Sequence, residues 1–262
     1  MRNFKDKQLI IFDLDGTLTK SKSTMDAEMS RLICDLLGEK PIAIIGGGKY
    51  ELFQKQFLSK LHCSKELLKR LYLFPTTSTV FYRYEKNKWG RIYAHNLTSA
   101  QRRKIIGAFE KVFHELNYKP SHKIYGKTIE DRGSQITFSA LGQNIVGKIG
   151  ERGARLKEEW KRKNQALKMK IVKRLQGTLP DFEVRAAGYT SIDVTRKGID
   201  KAYGIMQIQK HLKMPIKNML FVGDALYPGG NDYAARRTGI KCVQVSGPRQ
   251  TKKLIRHLTS NI

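Results

Sequence analysis

Two aspartates follow the first apolar segment of the chain at a spacing that could support metal-dependent chemistry. The run at residues 9–12 has the composition of a strand buried in a parallel sheet, and Asp13, Asp15 and Gly16 come after it. Side chains two residues apart point to the same side of a strand, and open α/β sheets bind ligands at the carboxyl ends of their strands. Two adjacent carboxylates repel each other unless a cation lies between them or one binds a proton. Because Mg²⁺ prefers oxygen ligands, the pair predicts a Mg²⁺ site.

Other groups suited to phosphate and metal chemistry follow later predicted strands or begin a helix. Phosphoryl transfer needs a nucleophile, an acid/base, a metal ion and a cation that shares the phosphate charge. A glycine turn can also bind phosphate through its backbone N–H groups. The candidates are Gly46, Gly47 and Gly48 after the strand at 41–45, Lys201 near the start of a helix, and Asp224, Asn231 and Asp232 at and after the end of the strand at 219–224. Their places at the ends of elements fit what phosphoryl transfer needs.

The first and last parts of the chain have the alternating pattern of a doubly wound α/β fold. Residues 1–85 alternate between apolar strands and amphipathic helices, including a helix at 25–37. Ser64 is expected to cap a further short helix with Leu67, Leu68 and Leu71 on its inner side. The alternation resumes in residues 189–262, beginning with a strand at 191–194. Such alternation predicts a parallel sheet with helices on both faces. We expect these two segments to form one core domain.

Residues 86–188 have a different pattern, in which strands and helices are segregated. Thr98 and Gln101 form a capping-box pattern that predicts the start of a helix. A long basic helix at 148–174 and a strand at 182–185 follow. This segregation predicts an α+β cap domain inserted into the core.

Composition limits the classes of protein to which the chain can belong. Its 262 residues are 40% apolar, which is enough for one large domain or two modest ones. No apolar run approaches the length of a membrane span, and the first residues lack the apolar segment of a secretory signal, so we expect no membrane partner. Cys34, Cys63 and Cys242 are scattered and odd in number, which predicts reduced thiols in a cytoplasmic protein.

The chain is strongly basic, with 50 Lys and Arg against 23 Asp and Glu and a formal net charge of +27. Such a charge attracts nucleic acid, anionic membranes or phosphorylated small molecules. The densest stretch, residues 148–174, has 11 basic and 3 acidic residues. Because the positive charge is spread along much of the chain, we favour a generally basic surface over a nucleic-acid site and expect no nucleic-acid partner.

The segment Asp-Leu-Asp-Gly-Thr-Leu-Thr at 13–19 resembles the first motif of the haloacid dehalogenase superfamily of phosphotransferases. The resemblance implies a Rossmann-like core with an inserted cap, Mg²⁺ as the cofactor and an aspartyl-phosphate intermediate. Asp13 would be the nucleophile, and Asp15 the general acid/base whose backbone carbonyl also binds Mg²⁺. The other implied roles are Asp13 and Asp224 as side-chain metal ligands, Asn231 and Asp232 in or near the coordination shell, Lys201 on the phosphoryl group, and Lys197 as a weaker candidate for that last role.

The position of the insertion and three further segments resemble one branch of this superfamily, subfamily IIB, which contains sugar phosphatases and eukaryotic-type phosphomannomutases. The segments are residues 129–143, 190–201 and 223–233, the last with the distinctive sequence Pro-Gly-Gly-Asn-Asp. The implied substrate is a phosphorylated sugar. The residues implied to bind it are Lys22, Gly46, Gly47, Gly48, Arg132 on the non-reacting phosphate, Gln143, and Ser191 and Asp193 on the sugar. These mutases pair through their caps, so a homodimer is a further expectation.

Two departures from the family pattern affect the expected activity. Residues 45–48 contain no hydroxyl group where the family has a Ser or Thr that binds a phosphoryl oxygen, which predicts a slower enzyme. Gln143 stands where the mutases have a second cap arginine, and Arg152 is the nearest candidate for a third. A mutase must hold a second phosphate in its cap, and neutral Gln binds phosphate less strongly than Arg. We therefore favour a sugar phosphatase over a phosphomannomutase, with a weakly catalytic polyanion-binding protein on the same fold as a minor alternative.

Overall fold

The computed structural model of the protein describes residues 4, 6–20, 23–120 and 123–259. The chain forms two compact units, which we name the core unit (Met1–Ala94 and Ile199–Ile262) and the cap unit (His95–Gly198). Among the described residues, no helix has both the length and the apolar character needed to cross a membrane.

The secondary structure alternates between strands and helices at both ends of the chain. The strands are β1 (Leu9–Asp13), β2 (Ile42–Ile45), β3 (Leu71–Phe74), β4 (Val80–Glu85), β5 (Lys88–Ala94), β6 (Ile129–Asp131), β7 (Gln135–Ser139), β8 (Phe182–Ala187), β9 (Ser191–Arg196), β10 (Met219–Gly223) and β11 (Lys241–Gln244). The helices are α1 (Ala27–Glu39), α2 (Tyr50–Gln56), α3 (Lys65–Leu68), α4 (Pro75–Ser78), α5 (Ser99–Glu115), α6 (Ile145–Thr178), α7 (Lys201–Leu212) and α8 (Pro248–Thr259). Short 3₁₀ turns lie at Leu58–Lys60, Ile216–Asn218 and Tyr233–Thr238.

The core unit contains a seven-stranded sheet in the order β11-β10-β1-β2-β3-β4-β5. The first five of these strands are parallel, and the β4–β5 hairpin is antiparallel at one edge. Alternate residues of β1 lie on opposite faces of the sheet. Ile10 and Phe12 pack in the cluster that includes α1 and α8, whereas Leu9 and Ile11 pack in the cluster that includes α7. The doubly wound α/β core that the sequence predicts is therefore confirmed.

The parallel register brings the carboxyl ends of β1, β2 and β10 to one edge of the core sheet. Asp13 pairs in register with Ile45, the last residue of β2. On its other side β1 pairs with β10, which ends one residue before Asp224. The side chains that follow these three strands therefore emerge at neighbouring positions.

The cap unit contains a four-stranded antiparallel sheet in the order β6-β7-β9-β8. Its apolar face packs against α5 and α6, and α5 begins at the predicted capping box. Alternate residues of β9 separate the two faces of the sheet. Ile192 and Val194 belong to the apolar core, so Ser191 and Asp193 lie on the opposite, polar face.

Three elements differ from the sequence-based expectation. The predicted boundary at 188 places β9 in the core sheet, but β9 pairs along its length with β7 and β8 of the cap unit. The predicted boundary at 86 places β5 in the cap, but β5 forms a hairpin with β4 on the core sheet. Leu71, expected on the inner face of α3, begins β3 instead. Strand pairing partners decide these assignments, and the apolar pattern of a single strand does not specify its partner.

Cys34 and Cys63 form a disulfide between α1 and the segment before α3. The expectation that all three cysteines are reduced thiols is therefore wrong. The two residues are 29 positions apart, and β2 and α2 lie between them, so their proximity arises from the tertiary fold and leaves no spacing signal in the sequence. Cys242 is a free, half-buried thiol on β11.

Candidate active site

Lys201 and Asp13 form a buried ion pair at the carboxyl end of β1. Lys201 is the first residue of α7, a helix that Asp200 caps. The Lys201 Nζ atom lies 2.5 Å from Asp13 Oδ1 and 2.9 Å from the carbonyl oxygen of Ile45, and neither side chain is more than 4% exposed. Asp13 Oδ2 has no hydrogen-bond partner among the described residues. The lysine thus holds one oxygen of Asp13, whereas Lys197, the weaker candidate for its role, is exposed in the cap unit.

Asp224 and Asp232 complete a cluster of three carboxylates around this pair. One oxygen from each of Asp13, Asp224 and Asp232 lies within 4.8 Å of the others. Asp232 Oδ1 is 3.2 Å from Lys201 Nζ, and Asp232 Oδ2 accepts a hydrogen bond from the N–H of Ala225 at 3.1 Å. The cluster is therefore assembled from the end of β1, the end of β10 and the turn that follows β10.

Gly16 makes room for the carboxylate of Asp224. Its φ angle of +93° lies in the left-handed region, and a Cβ atom built at this position would be 2.5 Å from Asp224 Oδ2. The hydroxyl group of the next residue, Thr17, donates to Asp224 Oδ1 at 3.4 Å. Both the backbone conformation and the close approach require glycine here, so the first motif shapes the carboxylate cluster as well as supplying Asp13.

The three carboxylates repel one another because they lie close together in a largely buried site. Burial raises the pKa of Asp13 well above its usual range; the charge of Lys201 opposes this rise, and the charges of Asp232 and Asp224 add to it. Burial, with the nearby Asp232, raises the pKa of Asp224 to about 6. Burial by itself lowers the pKa of Lys201, but the carboxylates of Asp13 and Asp232 outweigh this effect and raise it. The cluster has more carboxylates than one lysine can neutralise.

This excess of carboxylate oxygen fits a hard divalent cation such as Mg²⁺. The buried, unpartnered Oδ2 of Asp13 is an available ligand atom, and Asp224 and Asp232 offer carboxylates close to it. Asn231 comes directly before Asp232 and has an exposed side chain. Its role as a ligand, and that of the Asp15 carbonyl, stay predictions.

Asp15, the predicted general acid/base, is not one of the three clustered carboxylates. Its Oδ1 atom accepts a hydrogen bond from the Nε2 amide group of Gln56 at 3.3 Å. Gln56 is the last residue of α2 and is 1% exposed. Sequence reasoning missed this contact. The available signal was a polar residue on the same helical stripe as the apolar Phe53 and Phe57, because a buried amide requires a polar partner.

The glycine turn after β2 is hydrogen-bonded to α4, the short segment after β3. The N–H groups of Thr76 and Thr77 donate to the carbonyl oxygens of Gly48 and Gly46, at 2.8 and 2.9 Å respectively. Thr76, Thr77 and Ser78 have φ angles of 49°, 55° and 66°, which are uncommon for residues other than glycine. The sequence does not predict this turn, because it has no Gly or Asn to mark a left-handed conformation.

Two of the predicted substrate-binding residues in the cap unit contact each other. Arg132 Nε lies 2.8 Å from Glu130 Oε2, and Arg132 Nη2 donates to Gln143 Oε1 at 3.0 Å. The Arg132 side chain is only 9% exposed, so Glu130 already neutralises its charge within the cap. This pairing weakens Arg132 as a phosphate-binding group. Arg152, the nearest candidate for a further cap arginine, is exposed on α6.

The predicted sugar-binding residues of β9 form hydrogen bonds with β7. Ser191 Oγ lies 2.9 Å from Ser139 Oγ, and Thr137 Oγ1 donates to Asp193 Oδ1 at 2.7 Å. The strand pairing therefore brings these residues into one polar row on the cap sheet. Lys22, the remaining substrate-binding candidate, lies outside the described residues.

Comparison with known proteins decides the family. A family profile described as "Eukaryotic phosphomannomutase" matches residues 29–261. The chain belongs to this family. Among its relatives, the phosphomannomutase of Encephalitozoon cuniculi (strain GB-M1) is 26% identical over 262 residues, covering 95% of this chain and 93% of the relative. The phosphomannomutase of Saccharomyces cerevisiae is 25% identical over 233 residues, covering 87% and 85%.

Solved structures support the fold of this phosphomannomutase-family chain. The IMP-nucleotidase of Plasmodium falciparum matches with a TM-score of 0.70 at 18% identity, covering 96% of this chain and 68% of that one. The C-terminal domain of the C. albicans trehalose-6-phosphate phosphatase matches with a TM-score of 0.61 at 17% identity, covering 99% of this chain and 94% of that one. The predicted resemblance to haloacid dehalogenase-type enzymes is confirmed. The names of the relatives favour the mutase alternative over the phosphatase that the sequence led us to prefer.

Proposed function

We propose that this chain is a Mg²⁺-dependent phosphotransferase that interconverts mannose 1-phosphate and mannose 6-phosphate through a phosphorylated Asp13. The observation that carries the proposal is the Lys201–Asp13 pair within the carboxylate cluster. It provides a nucleophile, a cation and a set of metal ligands at one edge of a sheet. The names of the relatives support mannose phosphates as the substrates.

Asp13 attacks the phosphorus atom through a carboxylate oxygen. A bond forms between that oxygen and phosphorus while the bond between phosphorus and the sugar oxygen breaks, and Asp15 gives its proton to the sugar oxygen. In the second half of the reaction, the phosphoryl group passes from Asp13 to a hydroxyl group of a hexose phosphate, whose proton returns to Asp15. Lys201 shares the negative charge of the phosphoryl group in both halves.

The carboxylates of Asp13, Asp224 and Asp232 would hold the Mg²⁺ ion, with Asn231 and the carbonyl of Asp15 as further candidate ligands. Bound there, Mg²⁺ neutralises carboxylate and phosphate charge and so lets the two anions approach each other. The raised pKa values of Asp13 and Asp224 support this assignment, because they reflect negative charge that the protein alone does not fully offset.

A sugar phosphatase is the second candidate, and the cap unit supplies the observation that favours it. Gln143 is neutral, and Arg132 is already paired with Glu130. A mutase must bind a bisphosphate in two orientations, whereas a phosphatase needs to hold one phosphate well. Water then replaces the sugar hydroxyl as the acceptor of the phosphoryl group.

One assay separates the two candidates. The protein is incubated with Mg²⁺ and mannose 1-phosphate, with and without a hexose 1,6-bisphosphate as the activator. Mannose 6-phosphate that forms only with the bisphosphate supports the mutase, and free phosphate supports the phosphatase. The Asp13→Asn variant is the control and should form neither product. If no product forms from a panel of phosphosugars, or if Asp13→Asn keeps full turnover, the proposed function is wrong.

A further inference from the structure

Gln56 is a buried polar residue at the end of α2. It is 1% exposed and follows the fully buried Phe53 by one helical turn, with Phe57 next to it. Burying an amide in apolar surroundings costs free energy unless both its N–H and its C=O groups find partners. A leucine would pack at such a position without this cost, so the amide must serve a purpose other than filling space.

The two ends of the Gln56 side chain have different surroundings. Nε2 donates to Asp15 Oδ1 at 3.3 Å, whereas Oε1 is buried and has no hydrogen-bond partner among the described residues. The main chain is also fixed, because the carbonyl oxygen of Gln56 accepts a hydrogen bond from the N–H of Met25 at 2.8 Å. This bond ties the end of α2 to the segment that leads from the first motif into α1. The amide therefore lies beside Asp15, and its Oε1 atom has no hydrogen-bond partner among the described residues.

We propose that Gln56 is a positioning residue that fixes the side chain of Asp15 for proton transfer. Its Nε2 group donates to Asp15 Oδ1, and the hydrogen bond from Met25 to the Gln56 carbonyl oxygen fixes the main chain from which the amide extends. Leucine lacks this donor, and so does glutamate. This role rests on the proposed function, in which Asp15 protonates the leaving oxygen.

The leaving group of the substrate distinguishes positioning of an acid from a structural role. A sugar oxygen is a poor leaving group and needs a proton as its bond to phosphorus breaks, whereas p-nitrophenolate leaves without one. The experiment measures the single-turnover rate of Asp13 phosphorylation by a hexose 1,6-bisphosphate and by p-nitrophenyl phosphate, for the wild type, Gln56→Leu and Gln56→Glu. Rapid acid quench in the presence of Mg²⁺ gives the amount of phosphoenzyme at each time.

We expect both variants to slow phosphorylation by the bisphosphate by about 10- to 100-fold, with little change in the bisphosphate concentration that gives half of the maximal rate. Phosphorylation by p-nitrophenyl phosphate should change less than about threefold, because it needs no general acid. The control is Gln54→Glu, which places the same substitution on an exposed position of α2 and should react like the wild type. Circular dichroism melting shows which variants are folded at the assay temperature.

Three outcomes overturn the positioning role. Equal losses with both substrates mean that Gln56 supports the structure of the site in general. Wild-type rates with the bisphosphate in either variant mean that Asp15 does not depend on Gln56. If the wild type is not phosphorylated by either substrate, the proposed function itself fails and the positioning role fails with it. If Gln56→Leu does not fold, the isosteric Gln56→Glu alone decides between the first two outcomes.

Discussion

At the residue scale, the candidate site combines carboxylates that repel one another with a lysine that neutralises only part of their charge. Asp13, Asp224 and Asp232 converge in a buried region, and Lys201 offsets part of their charge. Such an arrangement lowers the stability of the metal-free protein and prepares it to bind a cation. Conflicts of this kind are typical of functional sites, where a local cost in stability is exchanged for binding or catalysis.

Replacing Asp224 should show how much the carboxylate cluster lowers the stability of the metal-free protein. The pKa of Asp224 is raised to about 6 in the folded protein, so its contribution to stability is present below its ordinary pKa and is lost as the pH rises through about 6. In EDTA above that pH, Asp224→Asn should therefore melt about 2–4 °C higher than the wild type. The difference should shrink towards about pH 5 and reverse when Mg²⁺ is added, because the variant loses a metal ligand.

Differential scanning calorimetry measures both effects. Asp35→Asn, an exposed position on α1, is the control and should melt like the wild type under every condition. A wild type that is more stable than Asp224→Asn in EDTA would contradict the repulsion on which the metal assignment rests.

Lys201 and Lys197 make a matched pair of lysines four residues apart. Lys201→Met leaves Asp13 and Asp232 buried without their cation, so it should lower the free energy of unfolding by about 3–5 kcal/mol and abolish turnover. Lys197→Met removes an exposed lysine and should change the free energy of unfolding by less than about 0.5 kcal/mol. Denaturant titration and turnover of mannose 1-phosphate test both variants, and the reverse pattern would transfer the phosphate-binding role to Lys197.

At the element scale, the turn between β2 and α2 carries the main departure from the family pattern. Gly48 lies on this turn, and a Cβ atom there would meet Leu52 Cδ2 at 2.4 Å. That contact involves the end of a flexible, half-buried side chain that can move aside. The site therefore leaves room for a hydroxyl group that the natural sequence lacks.

Gly48→Ser should raise the rate of Asp13 phosphorylation by about tenfold, because a hydroxyl donor close to the transferring group stabilises its developing charge. Gly48→Ala moves Leu52 in the same way without adding a donor, so it should match the wild type or be slower. Rapid-quench measurement of phosphoenzyme formation compares the three proteins. Equal rates for the Ser and Ala variants would mean that the glycine turn already supplies the required contacts through its backbone.

The disulfide between α1 and the segment before α3 should stabilise the core unit. Closing a loop of this length restricts the unfolded chain, so replacing Cys34 and Cys63 together by Ser should lower the free energy of unfolding by about 2–4 kcal/mol. Cys242→Ser is the control, since that thiol is free. A reductant should destabilise the wild type to the level of the double variant and leave the double variant unchanged. If reductant has no effect on the wild type, the disulfide does not form in solution.

The elements that could be predicted from the sequence are those with strong local patterns. The buried strands β1, β2 and β10 are continuous apolar runs, and α5 begins at a capping box, so local chemistry identifies them. The predicted catalytic aspartates and Lys201 follow or begin such elements. β9, the β5 hairpin and the disulfide depend on which segments meet in three dimensions, and a single chain leaves no local trace of that. For Gln56 the local signal is a polar residue on an apolar helical stripe, but that signal does not identify Asp15 as its partner.

At the scale of the whole molecule, the net charge of +27 suits an enzyme of phosphorylated compounds, because a positive protein raises the local concentration of anionic substrates. The absence of a nucleic-acid partner stays a prediction, as do the homodimer through the cap and the cytoplasmic location. The disulfide bears on the last of these, since disulfides are rare in a reducing cytoplasm. The oxidation state of Cys34 in the cell would therefore report on location as well as on structure.

The central claim is that Asp13 carries the phosphoryl group during turnover. The most direct test is to incubate the protein with Mg²⁺ and a hexose 1,6-bisphosphate, quench with acid, reduce the acyl phosphate with borohydride and map the product by peptide mass spectrometry. The reduction converts a phosphorylated aspartate into homoserine. We predict homoserine at position 13 in the wild type and none when the bisphosphate is omitted. Homoserine at another aspartate, or none at any position in a sample that turns over substrate, would contradict the claim.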